Sequence, residues 1–164
     1  MQIVLDHSQI QQKIIRIAHE IIENCSEIEN LYIAGICGNG LKIAKAIETI
    51  IRENSELKTT VFEIILDKEN PLNQEIKSSI DTHLFKNNFV VLVDDVVNSG
   101  KTMQYALTKI LEQPTKNIKT VALVDRTHRR FPIKCDFVGL TLSTTLKNRV
   151  EIVFSESESY AYLT

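Results

Sequence analysis

Two apolar runs, each followed at once by a short polar loop and then a helical repeat, restrict the fold of this chain more than any other feature. "LYIAGIC" (Leu31 to Cys37) passes through "GNG" into "LKIAKAIETIIRE", and "FVVLVDD" (Phe89 to Asp95) passes through "VVNS" into "GKTMQYALTKILEQ". Strands without polar alternation are covered on both faces, and strands that alternate with helices run parallel, so the pattern predicts an α/β fold around a central, mostly parallel sheet flanked by helices. "TTVFEIIL", Ile118 to Val124 and "RVEIVF" supply further strands. Ser8 to Asn24 reads as an amphipathic helix because Ile10, Ile14, Ile17, Ala18, Ile21 and Ile22 recur three and four apart, with Ser8 as its cap. "DKENPLNQEIKSSIDTHLF" shows neither period and reads as a loop or flap.

Size and charge remove several functional classes. At 164 residues and 43% hydrophobic content the chain suits one domain, expected over residues 1–154, with residues 155–164 as an acidic tail that frays or packs on a neighbour. A net charge of −2 provides no global attraction to nucleic acid or to anionic membranes. No apolar stretch approaches the ~18 residues of a membrane span. Three widely spaced cysteines (Cys25, Cys37, Cys135), none in a C-x-x-C pair, form neither a disulfide framework nor a zinc site and suit a reducing, cytoplasmic setting. His7 and His83 lack metal-ligand spacing, and Cys37 reads as a small strand-end residue rather than a nucleophile.

In parallel sheets, ligands gather at the carboxyl ends of the strands. Two loops stand there, "CGNG" and "DDVVNSGKT". The second ends like an ATP-binding P-loop, yet the glycine that G-x-x-x-x-G-K-[ST] requires at its start is Asp95. Two adjacent acids beside a triphosphate oppose that reading. Carboxylates instead accept hydrogen bonds from vicinal hydroxyls, such as those of a ribose. The residues that follow, Asn98 to Thr102, open a helix whose unpaired first amides favour an anion. A diol and a monophosphate held a few residues apart match a 5-phosphoribosyl group.

The segment Val91 to Thr102 resembles the 5-phosphoribosyl pyrophosphate (PRPP) motif of the type I phosphoribosyltransferases: apolar residues, two acids, two apolar residues, a variable position, then Ser or Thr, Gly, any residue and Thr. The resemblance spreads over most of the chain. "RIAHEIIE", "LYIAGICGNGLKIAKAI", "VVLVDDVVNSGKTM" and "VALVDRTHRRFPIKCDFVGLTLSTT" are similar, in order and spacing, to the pyrimidine operon attenuation regulators, which are also uracil phosphoribosyltransferases. Val124, Asp125, Arg126, His128, Arg129, Pro132 and Ile133, then Asp136, Phe137 and Gly139, carry that narrower likeness.

The resemblance implies the type I phosphoribosyltransferase fold with a small hood, and transfer from PRPP to a pyrimidine base, uracil giving UMP. It assigns Asp94 and Asp95 to the ribose, Asn98, Ser99, Gly100, Lys101 and Thr102 to the 5-phosphate, Cys37, Gly38, Asn39 and Gly40 to the pyrophosphate, and Val124, Asp125 and Arg126 to the nucleobase. Mg2+ would sit on substrate oxygens and water, without a direct protein ligand. An RNA arm reading an mRNA leader would use Arg16, His19, Arg129 and Lys134, and a homo-oligomer is implied. Some positions depart from the family. Asn39 stands where relatives carry a basic residue, the flap region, Asp67 to Asp81, offers Lys68 and Lys77 instead of an arginine, and Ile15 replaces a threonine in the first helix. Two other readings stay open: a PRPP or UMP sensor, or RNA-binding regulator, with little or no catalysis, and a transferase for another base.

Overall fold

The computed structural model describes residues 1–145 and 147–164. Its strands are β1 (Gln2–Leu5), β2 (Asn30–Ile36), β3 (Lys58–Ile65), β4 (Lys77–Ser78), β5 (Phe89–Val97), β6 (Asn117–Asp125), β7 (Phe137–Thr141), β8 (Val150–Val153) and β9 (Tyr160–Leu163). Its helices are α1 (His7–Asn24), α2 (Asn39–Asn54) and α3 (Lys101–Ile110). Six strands form the main sheet in the order β4-β3-β2-β5-β6-β7. All its neighbours run parallel except β4, which is antiparallel to β3.

Strand alternation divides the core into two. Val91 and Val93 of β5, with Leu31 and Ile33 of β2, face α1 and α2, which present Ile10, Ile14, Ile17 and Ile21 and Ile43, Ile47 and Ile51. Val90 and Leu92, with Ala34 and Ile36, face Met103, Ala106 and Ile110 of α3. Each buried isoleucine contributes about 2–3 kcal/mol of apolar transfer free energy. The second face has less helix over it. Phe85, from the 3-10 turn Thr82–Phe85, fills the gap and stacks on Phe62 at 5.1 Å. The flap is therefore not all loop, since it also contributes β4 and this core aromatic.

At the start of the chain one expectation is corrected. The cap of α1 is Asp6, not Ser8: the Asp6 carboxylate accepts from the Gln9 amide at 2.8 Å while the Gln9 side chain accepts from the Asp6 amide at 2.9 Å. This capping box satisfies two amides at once and starts the helix one residue earlier. Of the two outcomes expected for the acidic tail, fraying or packing, residues 160–163 pack, and within the chain's own fold. Residues 160–163 are the middle strand of an antiparallel sheet ordered β1-β9-β8, with Gln2 opposite Leu163 and Val153 opposite Tyr160. This smaller sheet is the hood, and Ala161 on its middle strand is fully buried. No helix among the described residues is long and apolar enough to cross a membrane.

If residues 160–163 pack as found, Ala161→Asp introduces a buried charge and costs at least about 2 kcal/mol in urea unfolding. A change within about 0.5 kcal/mol, as at an exposed tail, would contradict that strand.

Candidate functional site

Strands β2 and β5 are neighbours in parallel register, with Gly35 opposite Val93. Their carboxyl ends emerge side by side, yet the chain leaves β2 for one face of the sheet and β5 for the other. Such a switch in winding opens a crevice between the two loops. The first turn of α2 lies directly on the acids of β5. A Cβ on Gly40 would stand 2.8 Å from the Val93 carbonyl oxygen and 3.3 Å from the Asp94 Cα, so only glycine permits this approach.

Asp94 is 3% exposed, while Asp95 is half-buried beside it. Burial first, and the Asp95 charge second, push the Asp94 carboxyl up to about 7. Lys68 opposes this from the flap, its Nζ 3.6 Å from Asp94 Oδ1. Burial alone would lower the lysine, but the attraction of Asp94, Asp95 and Cys37 outweighs it and raises its pKa. The acids are also oriented by amides. Asp94 Oδ1 accepts from the Asp95 N–H at 2.9 Å, and Asp95 Oδ1 accepts from the Val96 N–H at 2.7 Å. Asn39 Nδ2 donates to Asp95 Oδ2 at 3.1 Å and to the Ile152 carbonyl at 2.9 Å, joining the CGNG loop, the acids and the hood.

The loop from Val97 to Gly100 has one side filled and one side free. Its carbonyls are occupied: Val97 accepts from the Arg126 amide at 3.0 Å, Asn98 from Arg129 Nη1 at 2.9 Å, and Ser99 from the amides of Arg130 and Phe131 at 2.9 and 3.0 Å. The amides of Asn98, Ser99 and Gly100 donate to no partner among the described residues. Gly100 takes φ +84° at the start of α3, and a Cβ there would meet Ile133 Cγ2 at 2.2 Å. Free amides at the start of a helix, with glycine allowing close approach, form an anion cradle. A small pocket of about 80 Å³ lies there, lined in part by Asn98 to Thr102 and bordered by Asp94. Beside it a cleft of about 480 Å³ is lined by residues that include Lys68, Asp94, Asp95, Thr102 and Glu151.

The structure thus brings the ribose and 5-phosphate candidates together and sets the CGNG loop against them. The side chains of other candidates have partners of their own. The Asp125 carboxylate accepts from the Thr127 amide and from Arg129, and the Arg126 guanidinium donates to Asn98 Oδ1, Thr144 Oγ1 and the carbonyls of Thr145 and Asn148. Arg16 donates to the Val138 and Gly139 carbonyls and pairs with Glu20 at 3.0 Å, while His19 and Lys134 stay exposed. Lys68 and Glu151 are site residues absent from the sequence assignment. Lys68 was visible as a flap lysine, but nothing in its spacing marked it as the one that meets Asp94. Glu151 sits on a hood strand far along the chain, where the sequence carries no signal.

Comparison with known proteins agrees with this geometry. Residues 2–157 match the family model described as a phosphoribosyl transferase domain. A protein of Clostridium novyi named "Bifunctional protein PyrR" is 34% identical, the match covering 96% of this chain and 92% of that one. Its namesake in Actinobacillus pleuropneumoniae is 35% identical over 92% of this chain and 88% of its own. Among solved structures, the hypoxanthine phosphoribosyltransferase of Trypanosoma cruzi superposes with a TM-score of 0.77 at 15% identity, covering 98% of this chain and 95% of that one. At that identity the likeness concerns the fold.

The raised Asp94 carboxyl has a signed consequence. A carboxyl whose folded pKa exceeds its unfolded value contributes stability below the unfolded pKa, and loses it as pH rises from about 4 to about 7. Asp94→Asn removes that penalty, so its melting temperature should exceed that of the parent more at pH 8 than at pH 5. An equal difference at both values would contradict a buried, repelled Asp94.

Proposed function

This chain belongs to the phosphoribosyl transferase domain family, and from that premise we propose that it transfers the 5-phosphoribosyl group of PRPP to uracil, giving UMP and pyrophosphate. One observation carries the proposal: a pair of acids and an anion cradle, a few residues apart on β5 and the start of α3, border the same crevice. In this reading Asp94 and Asp95 accept the ribose hydroxyls and the amides from Asn98 to Thr102 hold the 5-phosphate. The CGNG loop, Cys37 to Gly40, borders the pyrophosphate, and the backbone of Val124 to Arg126 the base. A ring nitrogen of uracil attacks C1 of PRPP as the bond to pyrophosphate breaks, and the proton that nitrogen carried passes to the departing pyrophosphate. Charge develops on the ribose ring and on the leaving group, so the protein acts by positioning and electrostatics.

The charge of the cleft bears on the cofactor. Glu69, Asp94, Asp95 and Glu151 line it, against Lys68 as the cation of that lining. A net negative cleft accepts an anionic substrate when a divalent ion accompanies it, and the Asp94 and Asp95 carboxylates suit a hard, hydrated ion. Mg2+ held on PRPP oxygens, with these acids reached through water, would offset charge on the leaving pyrophosphate. Lys68 then fills the role that a basic residue at Asn39 would have had. Asn39 itself is engaged with Asp95 and the hood.

Asn98 favours a pyrimidine over a purine. Purine-salvage relatives place an acid there to remove a proton, whereas an amide is no general base. Here its oxygen is moreover held by Arg126 at 2.9 Å. A second activity, RNA binding, is supported by relatives named bifunctional along more than nine-tenths of the chain. Of the residues proposed for it, Arg16, His19 and Lys134 are exposed, Arg16 paired with Glu20 and Lys134 with its Nζ 3.9 Å from Asp136 Oδ1.

Incubation with PRPP, Mg2+ and a panel of bases should release pyrophosphate with uracil and form UMP. Lys68→Ala should lower kcat about tenfold, equivalent to about 1.4 kcal/mol of transition-state stabilisation. No release with any base, while PRPP still binds, would reduce the protein to a sensor. Release with hypoxanthine alone would reassign the base.

A further inference from the structure

The arginine-rich loop after β6 looks from sequence like an outward basic surface, yet Arg129 turns inward. Its Nε donates to the Ile133 carbonyl at 3.0 Å, Nη1 to the Asn98 carbonyl at 2.9 Å, and Nη2 to Asp125 Oδ2 at 2.9 Å and to Cys135 Sγ at 3.2 Å. Its side chain is 24% exposed. Every nitrogen of the guanidinium has a partner inside the protein.

The partner that matters is Asn98. In a planar trans peptide the C=O and the following N–H point opposite ways, so holding a carbonyl on one side turns the next amide to the other. Three consecutive peptides are held in this manner. The Arg126 amide holds the Val97 carbonyl and turns the Asn98 amide, and the amides of Arg130 and Phe131 hold the Ser99 carbonyl and turn the Gly100 amide. Arg129 holds the Asn98 carbonyl and thereby turns the amide of Ser99. Of the three, only the peptide between Asn98 and Ser99 is fixed by a side chain. It is the one that a substitution can release without altering the backbone pairing of the other two.

We propose that Arg129 is a positioning residue for the 5-phosphate, acting through the Asn98 carbonyl to keep the Ser99 amide aimed into the anion cradle. The proposal rests on the phosphoribosyl reading of the site and assigns Arg129 to the transferase machinery instead of an RNA face. Without the guanidinium, the Asn98–Ser99 peptide can rotate and present an oxygen to the phosphate. A lysine restores a charge opposite Asp125 but cannot reach Asn98, Asp125 and Ile133 at once.

The test is calorimetric binding of UMP, ribose 5-phosphate and Mg2+-pyrophosphate to the parent chain, Arg129→Ala and Arg129→Lys. UMP and ribose 5-phosphate should weaken about tenfold in Arg129→Ala, the scale of one hydrogen bond to a charged group, and by an intermediate factor in Arg129→Lys. Pyrophosphate should stay within about twofold, because its loop is not held by Arg129. The Ser99 amide resonance should shift on UMP binding in the parent and lose that shift in Arg129→Ala. UMP affinity unchanged in either variant, or pyrophosphate weakened equally, would overturn the proposal; if Arg129→Ala fails to fold, Arg129→Lys decides by the same comparison. A parent chain that binds neither UMP nor ribose 5-phosphate would instead overturn the phosphoribosyl reading beneath it.

Discussion

The parallel pairing of β2 with β5 is the constraint on which the rest of the molecule depends. It brings two carboxyl-terminal loops to the same edge, while the helices that follow leave for opposite faces of the sheet. The crevice is thus a product of topology before any polar residue is placed in it. Glycine then decides how tightly it closes. With Gly40 against Val93 and Asp94, the start of α2 meets the acids at backbone distance, and Asn39 can reach both Asp95 and the hood.

Electrostatics in the crevice run against stability. A buried carboxylate beside a second one is unfavourable, and Lys68 only partly offsets it. Proteins retain such arrangements where a ligand resolves the conflict. Ribose hydroxyls and a hydrated divalent ion would both stabilise the ionised pair, so the unfavourable charge of the free chain becomes favourable binding in the complex. The anion cradle follows a different logic. Its dipoles are fixed in advance by hydrogen bonds on the far side of the loop, so an anion received there would need little reorganisation.

Much of this was legible in the sequence, for identifiable reasons. The runs at Leu31 and Phe89 are strands in any context, and an acidic pair followed by Ser-Gly-Lys-Thr restricts what can bind. The missed elements carried little local signal. β1 and β9 are four residues each, and β9 lies in a tail of serines and glutamates whose burial depends on partners at the other end of the chain. Residues Phe137–Thr141 are short and follow a basic loop, which hid β7. Arg126 and Arg129 show a different limit of the sequence. Sequence shows a charge but not its direction: the Arg126 guanidinium donates to Asn98 Oδ1, Thr144 Oγ1 and two carbonyls, and that of Arg129 to carbonyls and the Asp125 carboxylate.

The small antiparallel sheet joins residues 2–5 to residues 150–163 across nearly the full length of the chain. Contacts so distant in sequence close the costliest loop and tend to form late, after more local pairings have reduced the entropy that remains. No main-sheet strand pairs with β1, β8 or β9, so side-chain packing joins this sheet to the rest, through Leu5, Val150, Ile152 and Ala161. Asn39 fastens this sheet to the acid pair. Order in the hood and geometry at Asp94 and Asp95 are consequently linked. A crevice built this way has one wall drawn from both ends of the chain, and Leu5, Val150, Ile152 and Ala161 seat that wall in the same core as β2 and β5.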